Sequence, residues 1–493
     1  MPLVPLEIQP GVYRNGTDLQ SQNRWRDASL VRWTDNTLRP VGGWEQKSQT
    51  AAASKIRALL AWVDNSNGRR FVAGTYNKLY AYTQSGVQAD ITPAGFTSGR
   101  IDASAFTGYG AGPYNSGYYG TERTDSVTIL PATTWSLDTF GQNLVACSAD
   151  DGKLYEWTLN TGTPAAQITN SPSSCLGLVV TEERFIFALG AGGNPRKVQW
   201  CDKENNTVWT PSATNEAGDI ELQTGGEIMC GVNVRGQTLI LTTIDAHAMG
   251  YLGPPYVYSR ERIGTACGII SRKAVAVTDL GAVWMGRKAF YTYSGGAVSK
   301  VPSEVSDYVF SDINQSQQSK VCATTNARFS EVWWFYPSGA STENDRYVVW
   351  NYAENTWSIG QLARTAAIDH GTFRHPLWAD ADDKHVYEHE IGFDYGSATP
   401  FAESGPIMMS NGDQVMSAVE LIPDERTQGD VQARFKTRFY PNGAESEHGP
   451  YSLSNPTSVR FTGRQLRIRV EGQKLADWRV GVNRLDVING GRR

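Results

Sequence analysis

Residues 71–82 read FVAGTYNKLYAY: an apolar segment, a polar turn, and then a lysine followed by an alternating aromatic segment. Period-two alternation on both sides of a tight turn is typical of a β-hairpin. The same order of residues recurs later in the chain. The matching stretches are LVACSADDGKLYEW at 144–157, AVWMGRKAFYTY at 282–293 and PLWADADDKHVYEH at 376–389. The chain therefore contains one hairpin unit several times over.

An apolar strand precedes each hairpin, and such strands occur in seven places. They are IRALLAWVD, TTWSLDTF, CLGLVVTE, IMCGVNV, KAVAVTD, VCATTNA and AAIDHGTF. The stretch WCDKENNTVWT at 200–210 also resembles WNYAENTWS at 350–358. Each is expected to form the outer hairpin of its unit. The unit centres lie near residues 70, 145, 190, 240, 280, 335 and 378.

Units of three to four short strands, spaced by roughly 40–55 residues, are typical of a β-propeller. In that fold each sheet packs its apolar faces against its neighbours, and closure of the ring removes long free edges. We therefore predict an all-β protein with a propeller of about seven blades over residues 51–395. Two separate β-sandwiches are the alternative all-β arrangement.

A long insertion, residues 87–130, separates the first two units and should project from one rim of the propeller. It contains TGYGAGPYNSGYYGTE at 107–122, which has almost no aliphatic side chains. Glycine raises the entropy of the unfolded backbone, and Pro113 removes a hydrogen-bond donor. Tyrosine combines a broad apolar ring with a polar tip. We expect this segment to contact a neighbouring subunit, a fibre or the mouth of a channel.

The tail, residues 396–493, shows longer alternating strands than the repeats. VQARFKTRFY at 431–440 alternates apolar side chains with Arg434, Lys436 and Arg438. This pattern predicts a β-sandwich-like platform domain with a cationic outer face.

The same alternation continues in QLRIRVEG at 465–472, which contributes Arg467 and Arg469. The N-terminal segment, residues 1–50, lacks the repeat pattern and is expected to join the platform domain. The two ends of the chain would then lie together beside the propeller.

The N-terminal segment is also rich in arginine and tryptophan. It holds Arg14, Arg24, Arg26, Arg32 and Arg39 among Trp25, Trp33 and Trp44. Arginines of this kind bind carboxylates or phosphates of a partner. They also pack their stems over the faces of tryptophan rings inside a domain. Both interpretations remain open at this point.

The overall charge argues against a protein that grips nucleic acid. The 493 residues carry a formal net charge of −5 at pH 7, and no basic run is present. A protein that wraps DNA by neutralising phosphates is more basic than this. A passive conduit remains compatible with such a charge, because it must not hold its cargo tightly.

The start of the chain has no positively charged region followed by an apolar core, so no signal peptide is expected. No run of 18 apolar residues occurs, so no transmembrane helix is expected. The six cysteines stand singly, at 147, 175, 201, 230, 267 and 322. Such spacing predicts small core residues made in a reducing cytoplasm, and no zinc site.

One histidine-rich region is a conceivable metal site. It holds His370, His375, His385 and His389 together with Asp369, Asp380, Asp382 and Asp383. On a strand, His385 and His389 would stand about 13 Å apart, too far to share one ion by themselves. DADDK at 380–384 lacks the later residues of a calcium loop. A polar hairpin turn flanked by aromatic rings is the preferred interpretation.

No catalytic signature stands out elsewhere. GAGGNPRK at 190–197 lacks the GK[ST] ending of a phosphate-binding loop and is expected to be the second turn of a blade. No nucleophile elbow or paired-carboxylate pattern is present. We therefore predict a protein that is not an enzyme, with no catalytic residue, no cofactor and no metal. Some glycosidases with a propeller fold use isolated carboxylates, and such residues form no recognisable motif in a sequence.

Several stretches together resemble a family of bacteriophage virion proteins. They are PGVYRNGT, RWRDASLVRWTDNTLRPVGGW, GYGAGPYNSGYYGTERTD, WSLDTFGQNLVAC, GAGGNPRKVQWCDKENNTVWTPSATNEAGDIEL and FKTRFYPNGAESEHGPYSLSNPTSVRFTGRQ. The likeness runs nearly end to end. The architecture is similar to that of the tail nozzle proteins of short-tailed phages, also called tail tubular or packaged-DNA-stabilisation proteins.

This resemblance implies a structural role in the virion. It implies a homo-oligomeric ring, a hexamer, below a tail adaptor or head-to-tail connector protein. It also implies contact with a tail fibre or spike, and DNA that passes through the channel without sequence-specific binding. The protein would be made in the cytoplasm of the bacterial host, and a host surface is a further partner.

Three other functions remain open from the sequence. One is a virion protein that binds or degrades carbohydrate, with exposed aromatic rings as sugar platforms. Another is the hub or baseplate of a longer tail. The third is a cellular propeller that acts as a binding scaffold.

Overall fold

The structure is a computed structural model, and it describes residues 3–105, 129–408, 414–473 and 475–491. The Gly/Tyr stretch at 107–122 lies outside the described residues. Seven antiparallel four-stranded sheets follow one another through the middle of the chain. We number these blades 1 to 7 in chain order and number the strands of each blade 1 to 4 from the propeller axis outward.

Blades 1 to 4 come first along the chain. Blade 1 has Ile56–Val63, Arg69–Thr75, Leu79–Thr83 and Gln88–Asp90; blade 2 has Trp135–Phe140, Asn143–Ser148, Leu154–Trp157 and Ala166–Gln167; blade 3 has Gly177–Val180, Ile186–Leu189, Lys197–Trp200 and Gly218–Glu221; blade 4 has Ile228–Val234, Gln237–Thr242, Asp245–Gly253 and Val257–Thr265.

The last three blades complete the ring. Blade 5 has Val275–Thr278, Gly281–Met285, Phe290–Ser294 and Ala297–Val301; blade 6 has Cys322–Asn326, Glu331–Tyr336, Arg346–Asn351 and Thr356–Gln361; blade 7 has Arg364–Ile368, Leu377–Asp380, Val386–His389 and, as its fourth strand, Trp44–Gln46.

Contacts between the first strands show that the blades form a closed ring. Each first strand contacts that of the next blade, and the first strand of blade 7 contacts that of blade 1. The prediction of a seven-bladed β-propeller is confirmed. The four recurring hairpin motifs form the second and third strands of blades 1, 2, 5 and 7.

Both faces of each blade are apolar because both are buried against neighbours. In blade 3, Leu178 and Val180 pack with residues of blade 2, whereas Val179 packs with residues of blade 4. Strands buried on both faces become short continuous apolar runs. This explains sequences such as GLVV and IFAL in the middle of the repeats.

The ring is closed by a strand from far upstream. Residues Trp44–Gln46 pair with Val386–His389, so that Trp44 lies opposite His389. The prediction that all of residues 1–50 join the platform domain is wrong for this strand. The blade supplies three strands from its own segment, and its open outer edge is covered by the chain that leads into blade 1.

Two other expectations need correction. The insertion between blades 1 and 2 does not begin at residue 87, because Gln88–Asp90 is the fourth strand of blade 1. The stretch at 200–210 is not an outer hairpin, because the fourth strand of blade 3 is Gly218–Glu221. Residues 201–217 form a loop whose Trp209 is buried in the core between blades 2 and 3.

The order of the strands defines two faces of the ring. In a four-stranded meander, the turn between strands 2 and 3 lies at the same end as the link to the next blade. We call this end the crossing face. It carries the described ends of the insertion, including a two-stranded ribbon of Ser104–Ala105 and Ile129–Leu130. It also carries the link from blade 5 to blade 6, with helix Ser306–Asp312 and the 3₁₀ segment Gln315–Lys320.

Two further sheets form the platform domain. One has the strand order Leu3–Pro5, Arg484–Asn489, Met416–Ile422 and Thr457–Gly463; the other has the order Gln9–Val12, Arg24–Ser29, Phe401–Ser404, Gln465–Gly472, Val431–Arg438 and Ser446–Ser452, with Ile407–Met408 also paired to Gln465–Gly472. The two ends of the chain therefore share both sheets.

The remaining regular segments are short. They are the hairpin Val31–Thr34 and Thr37–Pro40, and the 3₁₀ segments Asp18–Ser21, Ala191–Gly193 and Ala327–Phe329.

The platform sheets pack face to face, and their core continues into the propeller. The rings of Phe435 and Phe461, one from each sheet, lie 4.9 Å apart. Strands Gln9–Val12 and Arg24–Ser29 contact the fourth strand of blade 6. A single cluster of buried apolar side chains runs through both domains. The platform is therefore held against the outer edge of the propeller by an apolar core rather than by a linker.

Candidate functional site on the crossing face

The insertion is fixed to the opposite side of the ring at its base. The side-chain amide of Gln317 donates to the backbone oxygen of Ala103 at 2.9 Å and accepts from its N–H at 3.0 Å. The hydroxyl of Ser319 accepts from the N–H of Ala132 at 3.1 Å. Both ends of the insertion thus bind the 3₁₀ segment between blades 5 and 6, and the base of the insertion bridges the crossing face.

A buried charge cluster stabilises this bridge. Arg57 pairs with both oxygens of Glu343, at 2.6 and 2.8 Å. Lys320, whose side chain is fully buried, lies 2.9 Å from Glu343 and 2.5 Å from Asp102. Arg57 also donates to the backbone oxygen of Ile101. The cluster joins blades 1 and 6 to the first residues of the insertion.

The charge cluster predicts acid sensitivity. Burial opposes ionisation of Glu343, but Arg57 and Lys320 outweigh it and lower the pKa from 4.5 to about 2. A lowered pKa in the folded state stabilises the protein above the unfolded value, and this stability is lost as the pH falls towards the folded value. We expect Glu343→Gln to cost about 2–3 kcal/mol in free energy of unfolding near neutral pH.

The test is denaturant unfolding of both proteins across the acid range. The difference between them should narrow as the pH falls from 4.5 towards about 2. Glu227→Gln is a suitable control, because that carboxylate is 46% exposed in its pair with Arg272. A Glu343→Gln cost that stays constant with pH would contradict the assignment.

The histidine-rich region is a structural turn. Asp380 accepts from the N–H groups of Asp382 and Asp383, at 2.7 and 3.2 Å. His389 is buried 4.0 Å from the ring of Trp378 and accepts from Arg364. Burial and the nearby Arg364 lower the pKa of His389 well below its usual range. The expected polar hairpin turn with adjacent rings is confirmed.

The other histidines of that region point elsewhere. His385 contacts the Ser48 hydroxyl at 3.0 Å, and His370 pairs with Asp369 at 2.8 Å. Within residues 3–105, 129–408, 414–473 and 475–491, no group of three or more His, Cys, Asp or Glu side chains is placed to hold a metal ion. None of the helical segments in those ranges combines the length and the hydrophobicity of a membrane span.

The five N-terminal arginines all pair with carboxylates of this chain. The pairs are Arg14–Asp27, Arg24–Glu304, Arg26–Asp18, Arg32 with Glu331 and Glu390, and Arg39–Asp477. Their partners lie within the protein, but the rings beneath Arg24 and Arg32 are those of Tyr13 and Phe329 rather than the expected tryptophans. Arg14 also lies over the ring of Tyr308, 4.0 Å from its centre.

Arg32 occupies the most enclosed of these positions. It lies in the hairpin Val31–Thr34 and Thr37–Pro40 and pairs with Glu331 of blade 6 through two bonds, at 2.9 and 3.0 Å. A further bond of 2.5 Å joins it to Glu390, directly after the third strand of blade 7. Burial disfavours its charge, but the two carboxylates outweigh burial and raise its pKa. The hairpin is thereby held to two blades.

The outer face of the platform is not a cationic surface, and that prediction is wrong. Its basic side chains alternate as expected, but carboxylates from the same sheet and from other segments pair with them. The pairs are Arg434 with Glu447 and Glu471, Lys436 with Glu403, Arg438 with Asp18 and Glu445, Arg467 with Asp18, Glu403 and Glu445, and Arg469 with Glu403 and Glu471. The face is a network of ion pairs with little free charge.

All six cysteines are free and buried, which confirms their prediction as core residues. Burial raises the pKa of the thiols of Cys175, Cys201, Cys230 and Cys322 to about 12. Neutral buried thiols are poor nucleophiles and poor metal ligands. They serve packing between blades.

Two exposed apolar tips lie on different domains. The hairpin of strands 3 and 4 in blade 4 has nine residues in each strand, and its tip exposes Leu252 by 63% and Tyr256 by 79%. On the platform, Phe439 and Tyr440 follow the strand Val431–Arg438 and are 48% and 63% exposed. Exposed aromatic clusters are typical of surfaces that bind another protein.

Comparison with known proteins finds similar chains among solved structures. No family model matches the chain, and no curated protein matches it. Among solved structures, virginiamycin B lyase from Staphylococcus aureus is 7% identical, with 70% of this chain and 98% of that chain covered and a TM-score of 0.42. The β-propeller domain of Cps50 (Swd1) from Myceliophteria thermophila is 9% identical over 70% and 100% of the chains, with a TM-score of 0.41.

The N-terminal domain of Nup159 is 10% identical, with 74% of this chain and 98% of that chain covered and a TM-score of 0.37. These likenesses concern propellers of differing function, some of them enzymes.

The charge cluster on the crossing face was not predicted from the sequence. Arg57 is an isolated arginine in an apolar strand, and Lys320 ends a polar stretch that looks fully solvated. Only Arg57 carried a signal, since a charge inside a buried strand requires a partner.

Proposed function

We propose that the protein is a structural component of a phage virion. In this proposal several copies, six in the family that the sequence resembles, form a ring-shaped nozzle at the distal end of a short tail. The nozzle retains the packaged DNA and lets it leave at ejection, and the protein catalyses no reaction. It is made in the host cytoplasm and works in the virion.

The main support is the presence of two apolar tips on one rigid chain. A closed ring is built from heterologous contacts, in which two different surfaces of the same protein meet. The tip at Leu252 and Tyr256 on blade 4 and the tip at Phe439 and Tyr440 on the platform are two such surfaces. The continuous core between the domains keeps their relative positions constant, as a repeating ring requires.

The charge of the chain also supports a conduit. A net charge of −5 leaves no strong grip on phosphates, so DNA can slide past. The ion-paired outer face of the platform provides no cationic patch for DNA either. We propose an adaptor or connector protein and a tail fibre or spike as the remaining partners.

We expect the isolated protein to assemble through blade 4. The double variant Leu252→Ser, Tyr256→Ser should weaken ring formation by at least about tenfold in concentration, because these side chains lose their burial at the subunit contact. Sedimentation velocity across a concentration series and negative-stain images measure the assembly. Val87→Ser, a 48% exposed apolar position on blade 1, is the matched control.

The possible results distinguish the nozzle role from the use of blade 4 as the subunit contact. Single discs at every concentration, together with absence from purified particles, would contradict the nozzle role. Rings formed equally well by the wild type and the double variant would leave the nozzle role intact and contradict the use of blade 4 as a contact.

A further inference from the structure

A recess of about 720 Å³ lies between blades 4 and 5 on the crossing face. One wall is the turn at Thr243 and Ile244, between strands 2 and 3 of blade 4, and another is the link at 265–268 into blade 5. The volume falls in the range of sites for small ligands. The proposed nozzle role makes no use of this recess, so a ligand bound here would be independent of that role.

The recess is preformed by a close approach of two backbones. A Cβ atom on Gly268 would lie 2.0 Å from the backbone oxygen of Thr243, so only glycine allows these walls to meet. The indole of Trp284 donates to the backbone oxygen of Cys267 at 2.7 Å, and the hydroxyl of Tyr291 donates to that of Ala266 at 3.0 Å. The link is thus fastened to blade 5, and the recess needs no rearrangement to exist.

Three basic side chains line the recess and are available to a ligand. Arg262 comes from the fourth strand of blade 4, and Arg287 and Lys288 come from the turn between strands 2 and 3 of blade 5. All three side chains are exposed, and none of them has an ion pair or hydrogen bond within the described part of the chain. This sets them apart from the arginines of the platform face. Their positive charge therefore remains free to bind an anion.

Arg287 and Lys288 also border a second recess. That cavity, of about 630 Å³, is lined on its other side by the link between blades 5 and 6, including Ser306 and Ser311. The two basic residues stand on the ridge between the cavities. The second recess adds serine hydroxyls and the carboxylate of Asp307 to the surroundings of the ridge.

The remaining lining suits the neutral part of a polar ligand. Ile244, 47% exposed, and the ring of Tyr291 give an apolar patch. Asp245 lines the same recess; its side chain is 4% exposed and lies 3.3 Å from Nε2 of His247. One of its oxygens accepts from Thr242 at 2.6 Å. Carboxylate and threonine oxygens accept hydrogen bonds from hydroxyl groups.

We infer that this recess binds a phosphorylated sugar. The phosphate lies at Arg262, Arg287 and Lys288, and the sugar lies over Ile244 and Tyr291. A phosphate monoester carries about two negative charges at neutral pH. It therefore matches three cationic side chains better than a ligand with a single carboxylate does. A concave site of this size excludes a DNA duplex, which needs an extended groove with many phosphate contacts. Hexose phosphates and nucleoside monophosphates share the required chemistry.

The experiment is calorimetric titration of the full-length protein with defined probes. The probes are glucose 6-phosphate, deoxyadenosine 5′-monophosphate, glucose, glucuronate, inorganic phosphate and a short DNA duplex. We expect saturable binding of glucose 6-phosphate, the nucleotide or both, with glucose and inorganic phosphate at least about tenfold weaker. Which of the two sugar phosphates binds more tightly identifies the source of the ligand.

A charge-neutral variant connects the binding to the recess. Arg287→Gln, Lys288→Gln should weaken the sugar phosphate by at least about tenfold, because two charge-assisted contacts are lost. Lys300→Gln, an exposed lysine on the outer strand of the same blade, should leave it unchanged. Both changes are on the surface and should preserve the unfolding temperature.

Four results would overturn the inference. The first is that neither sugar phosphate shows saturable binding up to millimolar concentrations. The second is that glucose or glucuronate binds as tightly as the sugar phosphates, and the third is that the double variant binds them as tightly as the wild type. The fourth is that only the DNA duplex binds.

Discussion

Arg32→Met is expected to lower the free energy of unfolding by about 3–5 kcal/mol. The guanidinium holds Glu331 and Glu390, and the three side chains are 4%, 3% and 7% exposed. Removing it leaves two carboxylates buried without a counter-charge. The Glu331 carboxyl already has a raised pKa because of burial. In the variant the carboxyls take up protons more readily, so the loss should be largest at neutral pH and smaller in acid.

Arg39 provides a matched control on the same hairpin. It lies directly opposite Arg32 across the two strands and pairs with Asp477 at 3.2 Å. Its side chain is 20% exposed, so Arg39→Met should cost less than about 1 kcal/mol. Chemical denaturation of the two variants measures the difference. Equal losses would show that the buried pairs are no stronger than those at the surface.

Trp334→Ala should have an effect of similar size, about 3–5 kcal/mol. Trp334 is fully buried in blade 6, and its ring centre lies 4.9 Å from that of Phe290 in blade 5. Its indole N–H donates to the backbone oxygen of Ala274 at 3.1 Å, which links the two blades. The substitution leaves a large cavity and removes one of the two hydrogen bonds to that carbonyl, which still accepts from the N–H of Met285 at 3.1 Å.

A second substitution separates packing from hydrogen bonding. Trp334→Phe keeps most of the ring and loses the donor, so we expect it to cost about 1–3 kcal/mol. Tyr256→Ala, at a 79% exposed position, should change stability by less than about 0.5 kcal/mol in the monomer. A Trp334→Ala loss no greater than that of Tyr256→Ala would contradict the packing role of the indole.

The repeated strands could be predicted because each carries its own local pattern. In blade 3, for example, the first strand has Leu178 and Val180 on one face and Val179 on the other. A strand that is apolar on both faces requires a neighbouring sheet on each side. A turn signal before each aromatic strand then gives the order within a blade. Closure of the sheets into one ring follows from their equal size and regular spacing.

The fourth strand of blade 7 had no such pattern. Trp44–Gln46 is only three residues long, and its partner Val386–His389 lies far along the chain. Pairing of that kind is decided by which edge remains open in the folded ring. The loop at 201–217 shows the converse, since its tryptophan resembles part of a hairpin but Trp209 instead fills the core between two blades.

The prediction of a cationic platform face was wrong for a related reason. Alternation placed Lys436 and Arg467 correctly on the outer side of their strands. Their partners Asp18 and Glu403 come from segments distant in sequence, so local patterns revealed the cations without the carboxylates that neutralise them. Arg57, Lys320 and Glu343 likewise come from three separated elements.

The use of the N-terminal residues in both domains sets the order in which the molecule can be completed. Leu3–Pro5 pairs with Arg484–Asn489, and Trp44–Gln46 pairs with Val386–His389, although both N-terminal strands leave the ribosome before any blade. Contacts between such distant segments require closure of a very long loop, which slows folding. A prematurely terminated translation product therefore retains open sheet edges and an unfinished core. A polypeptide that stops before residue 484 leaves Leu3–Pro5 without its partner strand, and one that stops before residue 386 also leaves Trp44–Gln46 unpaired.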